Sequence, residues 1–284
     1  MRSTIIVRTA LALLLGGVFA LPATAAAAAA PDSAGRQIID LGTLGDGYTL
    51  SEARAVNDRG QVVGDSIPAG LGPEHAFLWE RGRMRDLGTL GGLTSDATDI
   101  NNHGQVVGVS MTAAGETHAF LWAGGRMRDL GTLGGTFSVA QAINDHGRVV
   151  GTSTTADGAT RAFEWVNGRM RDLGLAAYAT ANDLNDHGQL TGGVPVGEAF
   201  HAYRLRRGHL TDLDAAGVPW SEGTAINEAG QVTGNSAPGT PSARPGPSTT
   251  TGRSSATASR PGSGQSTPSC GSAAGCATSA PWAG

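Results

Sequence analysis

Residues 129–153 read Asp-Leu-Gly-Thr-Leu-Gly-Gly-Thr-Phe-Ser-Val-Ala-Gln-Ala-Ile-Asn-Asp-His-Gly-Arg-Val-Val-Gly-Thr-Ser. The same order of blocks recurs along the chain. Copies begin at Asp40, Asp86, Asp129, Asp172 and Asp212, so the period is 46, 43, 43 and 40 residues. A fixed period of this size marks an array of one small structural unit. Residues that return in every copy build the unit, which makes them poor candidates for a single active site.

The second copy shows the unit best. Ala97-Thr-Asp-Ile-Asn101 alternates small or polar residues with larger ones, as a strand does. Asn102-His-Gly104 is a turn signal, with glycine available for positive φ. Gln105–Ser110 is β-branched and apolar on both faces, Ala113-Ala-Gly115 turns, and His118-Ala-Phe-Leu-Trp122 is a third strand, again apolar on both faces. After Gly124-Gly125, Arg126-Met-Arg-Asp-Leu130 is a fourth strand, polar on one side. Four strands of about five residues with short connections need roughly 40 residues. Connections this short cannot make parallel crossovers, so each unit is a four-stranded antiparallel meander.

Burial orders the strands. Strands two and three suit a sheet sandwiched between two others. The first strand carries small residues on one face (Ala53 and Ala55, Ala97 and Asp99, Ala140 and Ala142, Gly223 and Ala225), which suits a crowded inner end. The fourth strand shows paired arginines (Arg83 and Arg85, Arg126 and Arg128, Arg169 and Arg171), which suit an outer edge and discourage edge-to-edge pairing. The expected fold is all-β, a β-propeller-like array of four blades plus a partial fifth, with an incomplete ring. A β-solenoid is the rival, although its repeats are shorter, with parallel coils.

The His-Ala-Phe-Leu-Trp strands at His75–Trp79 and His118–Trp122 sit between an Ala-Ile-Asn-x-x-Gly-x-Val-Val-Gly block and an Asp-Leu-Gly-Thr-Leu-Gly-Gly block. In this the chain resembles the HAF repeat, a family of extracellular repeats named for its His-Ala-Phe core. The resemblance runs from about Ile38 to Ser236. It implies export and a propeller-like β fold, and it brings no catalytic residue or substrate. Copy three departs with Arg161-Ala-Phe-Glu-Trp165, copy four with His201-Ala-Tyr-Arg-Leu205, and copy five stops after Gly234-Asn-Ser236.

Three segments follow. Residues 1–25 read as a secretory signal peptide: Arg2 and Arg8, an apolar run Thr9–Leu21, and a small-x-small site at Ala23-Thr-Ala25. The run is too short to span a membrane as a helix. Residues 36–236 form the repeats. Residues 237–284 are rich in Pro, Ser, Thr, Gly and Ala, with no Asp or Glu, and are expected to be disordered. That tail fits an exported stalk, an ordinary unstructured terminus, or a reading frame shifted after Ser236. Its Cys270 and Cys276 are the only cysteines, so the repeats need no disulfide framework. Residues 37–41 read as a fourth strand with no blade before it. Joining it to copy five would close a five-bladed ring lacking one strand, so the expectation is either a strained ring or an open arc of four blades. Either should be less stable than a full-length relative.

Net charge is −4, every basic residue is Arg, and no basic stripe appears, which argues against nucleic acid as a partner. His103, His146 and His187 share one turn position and read as solvent-facing residues too far apart to share a zinc ion, whose ligands stand about 2 Å from the metal. His75, His118 and His201 open the third strand and read as hydrogen-bonded to a neighbouring strand or turn. The pairs Asn57-Asp58, Asn144-Asp145 and Asn185-Asp186 suggest calcium, but each turn offers two side chains where calcium takes six to eight oxygens. An Asx turn is the plainer reading. Trp79, Trp122 and Trp165 read as packing between blades, and Trp220 breaks register near a blade junction. Glu52, Asp65, Glu74, Glu116 and Glu198 are non-repeated acids in or near loops, and a glycosidase needs two carboxyl groups roughly 5–10 Å apart. No nucleophile elbow, phosphate loop or metal-binding helix motif is present. No catalytic, cofactor or metal residue is therefore assigned. The expected function is a secreted noncatalytic binding or scaffold module for an extracellular protein or glycan. A secreted carbohydrate-active enzyme is the alternative.

Overall fold

A computed structural model describes residues 38–45, 47–70, 72–213 and 218–237, with the backbone of 255–257. The expected signal peptide, most of the tail, Cys270 and Cys276 lie outside the described residues. All elements among the described residues are strands. Blade 1 is β1 (Tyr48–Val56), β2 (Val62–Pro68), β3 (His75–Glu80) and β4 (Arg83–Asp86). Blade 2 is β5 (Gly91–Ile100), β6 (Val106–Thr112), β7 (Thr117–Ala123) and β8 (Arg126–Gly131). Blade 3 is β9 (Gly134–Ile143), β10 (Val149–Thr155), β11 (Thr160–Val166) and β12 (Arg169–Asp172). Blade 4 is β13 (Asp183–Leu184), β14 (Leu190–Val196), β15 (Ala199–Arg206) and β16 (His209–Asp212). Blade 5 has β17 (Trp220–Ile226), β18 (Val232–Ala237) and β19 (Ser255–Thr257). Within each blade, chain neighbours pair antiparallel, so the units are the expected meanders and the array is propeller-like.

The glycine of Val-Val-Gly is explained by close approach rather than by turn geometry. A bulge between Ala97 and Asp99 pushes the first strand onto the second. A Cβ on Gly108 would stand 2.0 Å from the Asp96 carbonyl oxygen, and one on Gly151 1.9 Å from that of Val139. Only a bare Cα fits there.

The Asp-Leu-Gly-Thr-Leu-Gly-Gly link carries the chain from the outer strand of one blade to the inner strand of the next, and two buried serines hold it. Ser95 Oγ donates to Gly88 O (2.7 Å) and accepts from Ala76 N (2.9 Å). Ser110 Oγ accepts from Leu90 N (3.0 Å) and donates to Thr94 O (3.0 Å). Ser138 and Ser153 repeat both roles one blade on. Parallel contacts from third strand to next first strand, Thr117 to Phe137 and Phe200 to Trp220, complete the joints.

The cores lie between blades. Ala76, Leu78 and Leu87 of blade 1 meet Ala97, Ile100, Phe120 and Trp122 of blade 2. Ala119, Leu121 and Leu130 meet Ala140, Ile143, Phe163 and Trp165 in the next joint. Ala97, Ala140 and Ala181 are fully buried, which explains small residues at the inner end.

The array has two open ends at its axis. Ile100, Ile143, Leu184 and Ile226 are 5–8% exposed, whereas Val56 in the same position is 53% exposed. Asn57, Asn101, Asn144 and Asn185 are buried, whereas Asn227 is exposed. No strand pairing or hydrogen bond among the described residues joins blade 5 back to blade 1.

Three expectations change. Residues 38–41 do not form a strand, because among the described residues no third strand lies beside them to supply a ladder. The first strand of blade 4 shrinks to Asp183–Leu184, because copy four lacks the Gly-Gly and the clip serine; Tyr178 stands there at φ 67°. The tail contributes one short strand, β19, which pairs with β18 in the place of a third strand.

Candidate functional site

The Asn-Asp-x-Gly turns gather at the axis on one face. Asn101 Oδ1 accepts the amides of His103 (3.0 Å) and Gln105 (3.0 Å), which is the expected Asx turn. Its Nδ2 donates to Gln105 Oε1 (2.7 Å) and to Asn144 O (3.0 Å) in the next blade. The step repeats from Asn57 to Asn101, Asn144 to Asn185, and Asn185 to Asn227. Alongside it, Asp58 N donates to Asn102 Oδ1, Asn102 N to Asp145 Oδ1, Asp145 N to Asp186 Oδ1, and Asp186 N to Glu228 Oε1. The turns of neighbouring blades thus touch, which corrects the expectation that they stand far apart. In an antiparallel unit this turn ends the innermost strand, so all five converge on the axis.

These residues line an axial mouth of about 220 Å³, to which Asp58, Asn102, Asp145, Asp186 and Glu228 each contribute one oxygen-bearing side chain. Four of these are carboxyl groups. Asn102 Nδ2 bridges Asp58 (3.1 Å) and Asp145 (3.1 Å), and His187 Nδ1 lies 3.4 Å from Glu228. The turn acids thus serve as acceptors for neighbouring turns. Among the described residues no group of three or more His, Cys, Asp or Glu is arranged to hold a metal ion.

Beside the mouth, a groove of about 710 Å³ runs between blades 2 and 3. His103, Arg128, Asp145, His146, Trp165 and Asn167 are among its lining residues. The histidines face solvent as expected: the side chains of His103 and His187 are 65% and 71% exposed.

A third cluster breaks the repeat symmetry, and it includes three of the acids singled out in the sequence. Arg54 Nη2 lies 3.4 Å from Asp65 Oδ1, 3.4 Å from Asp96 Oδ2 and 3.7 Å from Glu52 Oε2, tying blade 1 to blade 2. Burial pushes the Asp96 carboxyl up to about 6, against the pull of Arg54, and the nearby Asp65 carboxyl adds to the rise. Asp65 is raised for the same first reason, with Glu52 and Glu74 contributing. Asp96 Oδ1 is buried with no hydrogen-bond partner. Asp65 and Asp96 share the Arg54 guanidinium, which lies 3.4 Å from a carboxylate oxygen of each. The sequence did not single out Asp96, although it holds the repeat position of Glu52, because its contact with Arg54 runs between blades.

The third-strand histidines have structural partners, as expected. His75 Nδ1 lies 2.7 Å from Asp86 Oδ2, His118 2.8 Å from Asp129, and His201 2.7 Å from Asp212. The other oxygen of Asp86, Asp129 and Asp172 caps the amide two residues on. Glu116 lies 3.4 Å from His118 Nε2. Glu198 joins no such cluster among the described residues. Trp122 and Trp165 are buried between blades, under Arg85 (5.1 Å) and Arg128 (5.4 Å) of the preceding blade. Trp79, which has no preceding blade, is half-buried, and Trp220 sits at the joint of blades 4 and 5. Sequence reasoning took Asp99 only for one of the small inner-face residues and did not mention Asp183. Each accepts an amide of the next joint, from Ile143 (2.8 Å) or Ile226 (2.7 Å). Their recurrence in alternate copies was the available signal.

No family model matches the chain, and no curated protein matches it. Among solved structures it is similar to TolB from Acinetobacter baumannii, with 11% identity and a TM-score of 0.44, over 62% of this chain and 44% of that one. The chain therefore spans less than half the length of TolB. It is also similar to XC5397, a gluconolactonase from Xanthomonas campestris (14% identity, TM-score 0.42, 68% of this chain and 72% of that one). A mutant of AofleA from Arthrobotrys oligospora has 15% identity and a TM-score of 0.41, over 71% of both chains.

Proposed function

We propose that this chain is an exported, noncatalytic binding module of the HAF-repeat kind, using its turn face to hold an extracellular protein or glycan. One observation carries the reading. The repeated Asn, Asp, Ser and third-strand His side chains are committed to joints within or between blades, as in the ladder from Asn57 to Asn227. What remains for a partner is the groove between blades 2 and 3, with its exposed His103 and mixed charge. Export rests on the signal-like first residues, and the family on the three ordered motifs.

The enzyme alternative rests on Asp65 and Asp96, two acids beside Arg54 whose carboxyls are both raised by burial, as catalytic acids often are. Asp65 is 2% exposed, which leaves little access for a substrate. Glycan-array and surface-protein binding, run beside a broad hydrolase screen, separates the two. The module reading expects binding that His103→Ala and His146→Ala weaken with no change in melting temperature. Turnover lost in Asp96→Asn would replace it with the enzyme.

A further inference from the structure

The third strand of a blade makes three kinds of contact. β3 pairs with β2 and β4 on its two sides, His75 bonds Asp86, and Ala76 N donates to Ser95 Oγ of the next blade. Blade 2 repeats this through His118 with Asp129 and Ala119 with Ser138, and blade 4 through His201 with Asp212 and Ala202 with Ser221.

At the start of the array the same acceptors lack such a donor among the described residues. Asp40 Oδ1 takes the Gly42 amide at 2.9 Å, as Asp86 Oδ1 takes that of Gly88, but no histidine meets its other oxygen among the described residues. Ser51 Oγ donates to Gly42 O at 2.7 Å, as Ser95 does to Gly88 O, but no alanine amide reaches it among the described residues. Ser51 is partly exposed, while Ser95 and Ser138 are buried. By repeat position, residues 38–40 stand where a fourth strand would, with no third strand beside them among the described residues.

At the far end, β18 has β19 beside it, placing Ser255, Ala256 and Thr257 opposite Asn235, Gly234 and Thr233. In blade 1 the corresponding registers put Ala76, Phe77 and Leu78 opposite Asp65, Gly64 and Val63. The tail thus offers an alanine where every complete blade offers Phe or Tyr. Asp58 of blade 1 and Glu228 of blade 5 line the same axial mouth, so the two ends flank one gap.

We infer that this gap is a receiving site for one extended strand of the His-Ala-Phe-Leu-Trp type, donated by another polypeptide. The strand replaces β19 beside β18 and draws residues 38–40 onto its other edge. It sets its histidine on Asp40 Oδ2 and its alanine amide on Ser51 Oγ. This is strand addition to an open sheet edge, with main-chain bonds supplying affinity and the side-chain sockets supplying selectivity. The interface is already built inside the molecule where blades 1, 2 and 4 meet the blade that follows each. A second copy is not the occupant, because all the third strands of this chain's complete blades already sit inside blades. The inference goes beyond the binding-module reading and depends on neither export nor the groove.

The test uses the purified full chain and a labelled peptide with the sequence of Glu74–Glu80. Saturable binding of one peptide per chain is expected, with slowed hydrogen exchange at Val232–Ser236 and Ile38–Ser51. Replacing the peptide's phenylalanine by aspartate, or using the Asp40→Asn, Ser51→Ala double variant, should weaken binding roughly tenfold or more. The peptide replacement leaves the chain untouched, so the result stands even if the double variant folds poorly. Binding indifferent to these changes, protection confined to other blades, or no binding at all overturns the inference. Self-association through the gap that excludes the peptide overturns the choice of occupant.

Discussion

The side-chain amide of Asn144 donates a 3.1 Å hydrogen bond to the backbone carbonyl of Asn185, its own counterpart one blade on. The same side chain accepts the amides of His146 and Arg148, so one residue shapes its turn and welds two units. Removing it leaves buried groups on both sides without partners. Asn144→Ala should therefore destabilise by about 1–3 kcal/mol. Asn227 makes the turn bond to Gln231 but is exposed at the end of the ladder, so Asn227→Ala should cost a fraction of that. Urea melts of the two variants check the ranking, and equal losses would mean the joint bond contributes nothing.

Gly108 shows how tightly the first strand lies on the second. The Cβ of an alanine there would meet the Asp96 carbonyl at 2.0 Å, and backbone cannot swing away as a side chain does. Gly108→Ala should destabilise by about 3 kcal/mol, at the upper end of overpacking effects. Gly115→Ala, in an open turn at φ +84°, should cost about 1 kcal/mol, through backbone conformation alone. Thermal denaturation followed by circular dichroism reads the difference.

The sequence made the meander legible because each block carries a local signal: the Asn-x-x-Gly turn, the two-faced apolar strands, the charged outer edge. The joints were less legible, because a contact between copies leaves no local trace. Nothing in the text of the repeat says that Ser95 reaches back to Ala76, or that Asp58 receives its partner from Asn102. The drift of copy three did carry such a trace. Arg148 replaces the usual Gln and Glu164 the usual Leu, and the two form an ion pair. The Arg54 cluster was half visible: Glu52, Asp65 and Glu74 stood out as unrepeated, but Asp96 comes from another blade. The open ends were foreseen as an incomplete ring, yet their exposure pattern at Val56 and Asn227 needed the fold.

The arginines of the outer strand do more than guard an edge. Arg128 lies 5.4 Å from the ring of Trp165 in the next blade, while Arg126 has no ring partner among the described contacts. Arg128→Ala should cost about 0.5–2 kcal/mol through the lost cation–π contact and the packing of its stem. Arg126→Ala should be within about 0.5 kcal/mol of the parent. Chemical denaturation of both variants measures this, and a loss common to both would point to charge alone.

Acidification should stabilise the array before it harms it. The Asp96 and Asp183 carboxyls are both pushed to about 6, first by burial. Around Asp96 stand Arg54, which opposes the rise, and Asp65 and Glu52, which add to it. Around Asp183, the amides of Ile226 and Leu184 oppose it, while Asp99 and Glu228 add to it. A carboxyl whose folded value lies above its unfolded value of about 3.9 binds its proton more tightly in the folded chain. Its contribution is complete below that unfolded value and is lost as pH rises through about 6. The melting temperature should therefore fall as pH is raised from about 5 to 7, each group contributing on the order of 1 kcal/mol once solvent access is discounted. Asp96→Asn keeps the shape of the side chain but cannot ionise, so it should flatten the slope and raise stability most at the alkaline end. A parent whose melting temperature rises across that window, or an Asp96→Asn slope equal to the parent's, would show that Asp96 is ionised throughout and that Arg54 outweighs its burial.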